Sequence, residues 1–333
     1  MTATALKQAT ETSFTGLEHL ASLHKALADG LRLQILRLLR SESFGVLELC
    51  RILDIRQSAL SHHLKILATS GLVSTRREGN SIFYRRSFLT DGDPYRDIKE
   101  AVFLQVDALD LNPAQVKKIK QVQMERSQLS LNFFNKNAAK FREKQGLIVE
   151  HDDYHSTLHT VLDGLGLDKE MQVLEVGPGE GQLLTQLARK FEAVTGLDNS
   201  KDMLDRSQQA LIDAGISNVT LIHGDTTVAR KQKLSGDLII FDMVLHHISS
   251  PAKTFKDCAA LLNPGGALLI VELSPHDQDW VRETCGDLWL GFEESELEHW
   301  AEKAGLQTGQ SLFLGLRNGF QIQIRVFHKA DSL

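Results

Sequence analysis

The sequence predicts an α/β chain in two parts: a small helical N-terminal domain closed by a β-hairpin, then a doubly wound α/β domain with a seven-stranded sheet. Three observations carry this. The 333 residues are about twice the usual single-domain length. Apolar residues recur at helical spacing through the first half, then fall into short β-branched runs alternating with helical stretches. Charge is divided unevenly. The net charge is -6, yet residues 55–88 hold six basic side chains against Glu78 alone (+5), and residues 112–146 hold eight against Glu125 and Glu143 (+6), leaving the remainder at -17. A basic binding module joined to an acidic globular domain gives such an asymmetry.

Composition removes other classes. No apolar run approaches the ~18–20 residues that span a bilayer, and the leading MTATALKQATETS lacks a signal-peptide core, so a soluble, cytoplasmic protein with no membrane partner is expected. Cys50, Cys258 and Cys285 are odd in number and scattered, which offers neither a disulfide framework nor a CxxC metal site. We expect a flexible tail over 1–14, a first domain over 15–92, connecting or dimerisation helices over 93–145 and a second domain over 146–333.

Leu17, Leu20, Leu23 and Leu27 mark one helix, and LRLQILRLL (31–39) a second, more buried one. Ser43, Phe44 and Gly45 break it, and VLELCRILDI gives a short third helix. Gln57-Ser58 opens a fourth, SALSHHLKILATSG, which Gly71 closes. In LVSTRREGNSIFYRRSF two strand-like arms flank Glu78-Gly79-Asn80, a hairpin. Two short helices, a tight turn and a hairpin make a winged helix-turn-helix. Its recognition helix runs from Gln57 to Thr69, with Leu60, Leu64, Leu67 and Ile66 inward. Gln57, Ser58, Ser61, His62, His63 and Lys65 are the groove-reading candidates on that helix, because Gln pairs with adenine while Ser, His and Lys more often hold phosphates. Arg76, Arg77 and Arg85, with Arg86, sit on the hairpin and suit backbone or minor-groove contacts. The expected partner is double-stranded operator DNA.

ADGLRLQILRLL, LELCRIL and QSALSHHLKILATSGLVSTRREGNSIFYR resemble the ArsR/SmtB-type winged-helix regulators over about residues 17–90. The Ser-x-His-Leu of Ser61–Leu64, the Gly-Leu-Val after the helix and the Arg-x-Gly wing with Tyr84 carry the likeness. It implies a homodimer reading an inverted repeat, usually as a repressor released by a ligand. Many members sense metals through His/Asp ligands on a C-terminal helix or through a cysteine pair in the third helix. Here only Cys50 stands there, and one thiolate cannot build a three- or four-ligand site, so no metal is expected.

Asp93-Pro94 and Asn112-Pro113 punctuate the next segment. RDIKEAVFLQVDALDL reads as one helix, and a second runs from Ala114 to about Lys144 with Val116, Ile119 and Val122 on one stripe, then Leu129 and Phe133. Such helices form a dimer or pack on the next domain, and the sequence leaves both open.

Beyond residue 155, VLEV (173–176), AVTGL (193–197), VTLI (219–222), DLIIF (237–241) and ALLIVEL (267–273) read as strands separated by helices, and SLFLGL and FQIQIRVF form an antiparallel pair around Arg317-Asn318-Gly319. Glu175-Val-Gly177-Pro-Gly179-Glu-Gly181 follows the first strand, where alternate glycines let the backbone turn sharply into a helix and approach a ligand. Asp198 ends the second strand, where an acidic residue accepts from ribose hydroxyls. Asp225 ends the third, where a carboxylate can accept from an exocyclic amine. No Lys-Ser/Thr follows the glycines, which excludes a triphosphate P-loop.

EVGPGEG, GLDNSKDML, HGD, FDMVLHHISSP and LLNPGGALLIVEL resemble the motifs of class I S-adenosylmethionine-dependent methyltransferases over roughly residues 130–330, nearest the small-molecule enzymes of quinone biosynthesis type. The resemblance implies a Rossmann-like sheet holding S-adenosylmethionine or S-adenosylhomocysteine. Gly177, Gly179 and Gly181 would line the homocysteine part, Asp198 hold the ribose, Met203 cover the adenine, Asp225 with the Thr226 amide read its edge, and Asp242 lie near the amino group; Glu175 and Asn199 complete the set. No catalytic residue is assigned. His246, His247, Asp242, Tyr154 and Glu272 are candidate bases. The strand end FDMVLHH differs from the adenine-N6 site, no Pro-Cys serves cytosine C5, and the cysteines do not resemble an arsenite-methylating trio.

The fused architecture resembles S-adenosylhomocysteine-responsive regulators of the methionine cycle (the SahR group). It implies a DNA-binding regulator with a ligand-sensing methyltransferase-like domain. The alternative is an active methyltransferase of a small molecule carrying an autoregulatory DNA-binding domain. A third reading is a nucleic-acid methyltransferase addressed by the helix-turn-helix.

Overall fold

The computed structural model describes residues 16–137 and 141–331, so the tail expected over 1–14 lies outside the described residues. The chain divides into two compact units, Met1–Val122 and Gln123–Leu333, each described by itself.

In the first unit, helix α1 covers residues 16–27 and α2 Gly30–Leu38. Asp29 starts α2 by accepting the Arg32 amide at 3.0 Å, a side-chain N-cap. Strand β1 (Phe44–Gly45) precedes α3 (Val46–Leu53), and Asp54, in the left-handed region at φ 58°, turns the chain toward α4 (Gln57–Thr69). Beyond Gly71, β2 (Val73–Glu78) and β3 (Ser81–Arg86) pair antiparallel across the two-residue turn Gly79-Asn80. β1 is a third strand that the sequence reading took for a break. Phe44 and Gly45 pair with Tyr84 and Phe83, and two residues are too few to show alternation. Leu23, Ile35, Leu49, Leu60, Leu64 and Leu67 share one core with Phe44 and Leu72. Helix α5 (Arg96–Asp107) ends four residues before the expected boundary.

Helix α6 is a single 25-residue element, Pro113–Asn137. It gives Val122 and Ile119 to the core of the first unit and Arg126 and Ser130, both buried, to the second. α7 (Phe141–Gln145) and α8 (His151–Gly164) lead into the sheet.

The second unit alternates strand and helix: β4 (Gln172–Val176), α9 (Gln182–Lys190), β5 (Ala193–Asp198), α10 (Lys201–Asp213), β6 (Val219–His223), α11 (Thr226–Lys231), β7 (Gly236–Asp242), α12 (Pro251–Leu261) and β8 (Leu262–Leu273). α13 (Trp280–Thr284) and α14 (Glu294–Ala304) precede β9 (Leu306–Gly315) and β10 (Gln321–Lys329). The sheet has the seven strands the sequence predicts, in the order β6-β5-β4-β7-β8-β10-β9, with β10 antiparallel to both neighbours. β9 starts five residues earlier than SLFLGL suggested, because its leading Gln-Thr-Gly-Gln lies on an edge strand and carries no apolar alternation. The chain runs outward from β4 to β6 and then returns to β7, so the strand order reverses between β4 and β7. Ligands of open α/β sheets bind in the crevice at the carboxyl ends of strands at such a switch point.

Candidate functional site

At this switch point the loop after β4 carries Gly177, Gly179 and Gly181 at φ 72°, 58° and 82°. These are left-handed values that glycine alone adopts cheaply. Gly177 is also held by space: a Cβ there would fall 2.4 Å from Val244 Cγ2. Ser207 donates its hydroxyl to Gly179 O at 2.9 Å, tying the loop to α10.

Carboxyl groups ring this loop. Glu175, 2% exposed, leaves Oε2 buried without a hydrogen-bond partner, and Asp242 at the end of β7 leaves Oδ1 in the same condition. Burial, then the charges of Asp242 and Asp198, pushes the Glu175 carboxyl well above the usual range. Asp198 is pushed up to about 6 by burial, against the amides of Ser200 and Asn199 and the nearby His223. Its Oδ1 accepts from Ser200 N at 2.8 Å. Asp242 Oδ2 lies 3.6 Å from His151 Nδ1, and burial followed by the Asp242 charge holds the Tyr154 phenol protonated. Buried carboxyls with unpartnered oxygens beside an open glycine turn are a set that a ligand's ammonium or hydroxyl groups would satisfy, so the residues fit an adenosyl amino acid.

The remaining expected ligands are placed unevenly. Asn199 is exposed, and its carbonyl lies 3.1 Å from His223 Nε2. Met203 is buried in the first turn of α10. Asp225 is exposed and caps α11, its Oδ1 taking the amides of Thr227 and Val228 at 2.9 and 3.0 Å, so that oxygen already has partners. Thr226 is buried and donates its hydroxyl to Asp257 at 3.0 Å.

The loop after β7 adds a second cluster. Glu272, fully buried, accepts from the His246 amide at 3.0 Å and lies 2.6 Å from His246 Nδ1. Burial lowers the His246 pKa, but Glu272 and Asp287 together outweigh it and raise it to about 9. His247 is driven well below the usual value by burial and by its charged neighbour. Because the folded pKa of His246 lies above the unfolded one, its pairing stabilises fully below about pH 6.5 and is lost as pH rises through about 9. Glu272→Leu is expected to lower stability by about 3–5 kcal/mol at pH 7 by stranding a buried imidazolium. The check is the urea midpoint of the α/β unit, whose fall between pH 7 and 10 should flatten in the variant. Asp287, which no sequence motif singled out from its segment HDQDWVRETCGDLWLGF, stands opposite His246 and His247. A small cleft, with room for about one water, has Phe133, Lys144, Met243, His247 and Cys285 in its wall. Met243 itself is in the left-handed region at φ 54°, strain of the kind that persists at functional sites.

In the first unit, Gln57, Ser58, Ser61, His62 and Lys65 share the exposed face of α4, and Arg77 is exposed on the wing. Arg77 also donates Nε to Gly79 O at 2.9 Å, and four other basic or imidazole side chains are drawn to partners of their own. His63 turns toward α2, its Nδ1 3.7 Å from Asp29 Oδ1. Arg76 pairs with the buried Glu78. Arg85 donates to Ser74 Oγ at 3.1 Å and lies over the Phe88 ring. Arg86 is structural, donating to Leu36 O at 2.6 Å and to both Asp107 oxygens. Spacing on a strand says which face a side chain takes, not which carboxylate it will find there.

Residues 29–75 match the family model "Bacterial regulatory protein, arsR family" and residues 167–305 a methyltransferase domain model. The chain is 28% identical over 152 residues to the ubiquinone biosynthesis O-methyltransferase of Coxiella burnetii, covering 42% of this chain and 64% of that protein. It is 34% identical over 121 residues to the tRNA 5-carboxymethoxyuridine methyltransferase of Escherichia coli, covering 36% and 46%. The chain thus spans less than two thirds of the length of these relatives. Among solved structures, magnesium protoporphyrin IX methyltransferase from Synechocystis with bound S-adenosylhomocysteine superposes with a TM-score of 0.51 at 18% identity, covering 62% of this chain and all of that one, a likeness of fold. No helix among the described residues is long and apolar enough to cross a membrane. The chain joins a helix-turn-helix domain of the bacterial arsR regulatory family to a methyltransferase domain with the fold of S-adenosylmethionine-dependent methyltransferases.

Proposed function

We propose that this protein is a DNA-binding transcriptional regulator whose methyltransferase domain binds S-adenosylmethionine or S-adenosylhomocysteine as effector, acting as a homodimer on genes of the methionine cycle. Glu175 and Asp242 hold the ligand's ammonium, the Gly177–Gly181 turn brings its amides to the amino-acid part, and Asp198 accepts from the ribose hydroxyls. Met203 and Asn199 flank the adenine, with the Thr226 amide and the second oxygen of Asp225 at its edge. When bound, S-adenosylmethionine supplies an electrophilic methyl group, and this domain uses the same pocket for sensing. Gln57, Ser58, Ser61, His62, Lys65 and Arg77 meet the operator.

The observation that carries this reading is α6. One helix places Val122 and Ile119 in the first unit's core, while Asn135 near its other end accepts the Ser200 hydroxyl at 2.9 Å, and Ser127 bonds Ser249 at 2.7 Å. Ser200 also binds Asp198 through its amide and caps α10. A ligand drawing on Asp198 therefore acts one residue from a bond to the helix that both units share, and an effector with different affinities for two arrangements of that helix shifts their populations.

The test is a calorimetric titration of each ligand, with and without DNA from the protein's own promoter. One ligand should change operator affinity by about 5–150-fold without turnover, and Asn135→Ala should bind that ligand with the shift reduced. Unchanged DNA affinity with both ligands, together with methyl transfer to a component of cell extract, would replace the sensor by the second reading, an autoregulated small-molecule methyltransferase. The match of residues 167–305 to a methyltransferase domain model is the observation that favours it.

A further inference from the structure

We propose that His246, His247 and Asp287, with the carbonyl of Gly286, form a site for one divalent cation of the zinc class. The two histidines end a short 3-10 turn after β7 (Leu245–His247), and Asp287 follows α13 some forty residues later, so only the tertiary fold assembles the set. Asp287 Oδ1 stands 4.0 Å from His246 Nε2 and 3.8 Å from His247 Nδ1, and one donor atom from each of the three lies within 4.8 Å of the others. Donors bound to one ion at about 2.0–2.2 Å stand roughly 3–4 Å apart, so the two Asp287 pairs are already near that spacing and a side-chain adjustment on the order of 1 Å closes the set.

The surroundings are those of a built site. The nitrogen of His246 facing away from Asp287 lies 2.6 Å from Glu272, which leaves Nε2 as the nitrogen toward the ion. A carboxylate behind a ligating histidine fixes its tautomer and ring orientation in this way. Gly286 O lies 3.3 Å from His247 Nδ1. On ion binding His247 takes the tautomer that carries its proton on Nε2, so that Nδ1 offers its lone pair, and the carbonyl changes from hydrogen-bond acceptor to a fourth, oxygen donor. Gly286 (φ 83°) permits the approach, since a Cβ there would fall 2.4 Å from the Phe133 ring. Phe134 packs edge-on against His247 at 4.7 Å, giving the ion an apolar wall, while the neighbouring cleft provides entry. Cys285 stays outside the set because its thiol donates to Lys144 O at 3.3 Å. Two imidazoles, one carboxylate and one carbonyl suit Zn2+, Co2+ or Ni2+ better than Mg2+ or Ca2+, which take oxygen shells. The lone Cys50 in α3 argues against a metal, and the sequence spacing carries no signal for this set, because its ligands meet only in the fold. This site lies in the other domain and does not depend on the effector reading.

The experiment uses the full chain stripped with a chelator, titrated with Zn2+ by calorimetry and with Co2+ by visible absorption. One ion per chain is expected, with a Co2+ ligand-field band. Asp287→Asn and His247→Gln should each weaken binding more than about tenfold and erase the band. His155→Ala with His159→Ala, which removes the histidine pair on α8 whose rings lie 4.2 Å apart, should leave both intact. A thermal melt of each metal-free variant, matched to that of the metal-free wild type, reports that the variants are folded. Absence of Zn2+ binding, equal binding in Asp287→Asn and His247→Gln, or loss confined to the α8 variant would each overturn the proposal while leaving the effector reading untouched.

Discussion

Asp198→Ala is expected to weaken binding of the adenosyl ligand by about 10²–10⁴-fold and to leave operator binding without ligand unchanged. A carboxylate accepting from two ribose hydroxyls makes two charge-assisted hydrogen bonds, each worth about 1.5–3 kcal/mol, and about 1.4 kcal/mol is a factor of ten. The wild-type affinity should carry a pH signature as well. Burial holds the carboxyl at about 6, and hydroxyl donors favour its ionised form, so affinity falls about tenfold from pH 7 to pH 5 and binding near pH 6 releases about half a proton. Because the folded pKa is raised, ionising Asp198 costs stability: the cost is absent below about pH 3.8 and complete above about 6. The variant should therefore be no less stable than wild type at pH 7. Calorimetry over pH 5–7.5 and a thermal melt check both; a flat affinity profile in the wild type, or tight binding by Asp198→Ala, would remove Asp198 from the site.

The converse variant separates the other half. Lys65→Ala with Arg77→Ala should weaken operator binding on the order of a hundredfold, almost uniformly across sequences, and lower the salt slope by about two for each subunit, while ligand affinity stays at the wild-type value. Both side chains are exposed, one on α4 and one on the wing, and Arg77 gives up only its 2.9 Å bond to Gly79 O in the wing turn. Arg76 would be the poorer choice, since its removal takes an ion pair from the buried Glu78. Fluorescence anisotropy with promoter DNA at several salt concentrations gives both numbers. An unchanged slope would place the phosphate contacts elsewhere, with α6 and its Lys117 and Lys120 next to be tested.

The elements that were legible in the sequence are those whose signal is local. The nearly continuous apolar runs of β7 and β8, buried on both faces, the apolar spacing of α4 and the glycine turn after β4 each arise within a few residues. β1 escaped because two residues have no period, and the early start of β9 because an edge strand needs no apolar face. The site divides in the same way. Glu175, the three glycines, Asp198 and Asp242 sit at strand ends that the βα alternation fixes, and the structure brings them to one switch point. Asp287, Gly286, Phe133 and Asn135 carry no motif, and nothing in their neighbours announces what they face.

The sequence by itself determined the fold class, the two families joined in one chain and the positions of the backbone turns, because these follow from short-range sterics and from periodic burial. Tertiary structure alone decided which charges are free to meet a ligand. Arg86 closes on Asp107, Asp225 caps a helix, and His246 is held between Glu272 and Asp287. An ionisable group takes its pKa and its availability from what lies within a few ångströms through space, and for these residues those neighbours are up to forty positions away along the chain.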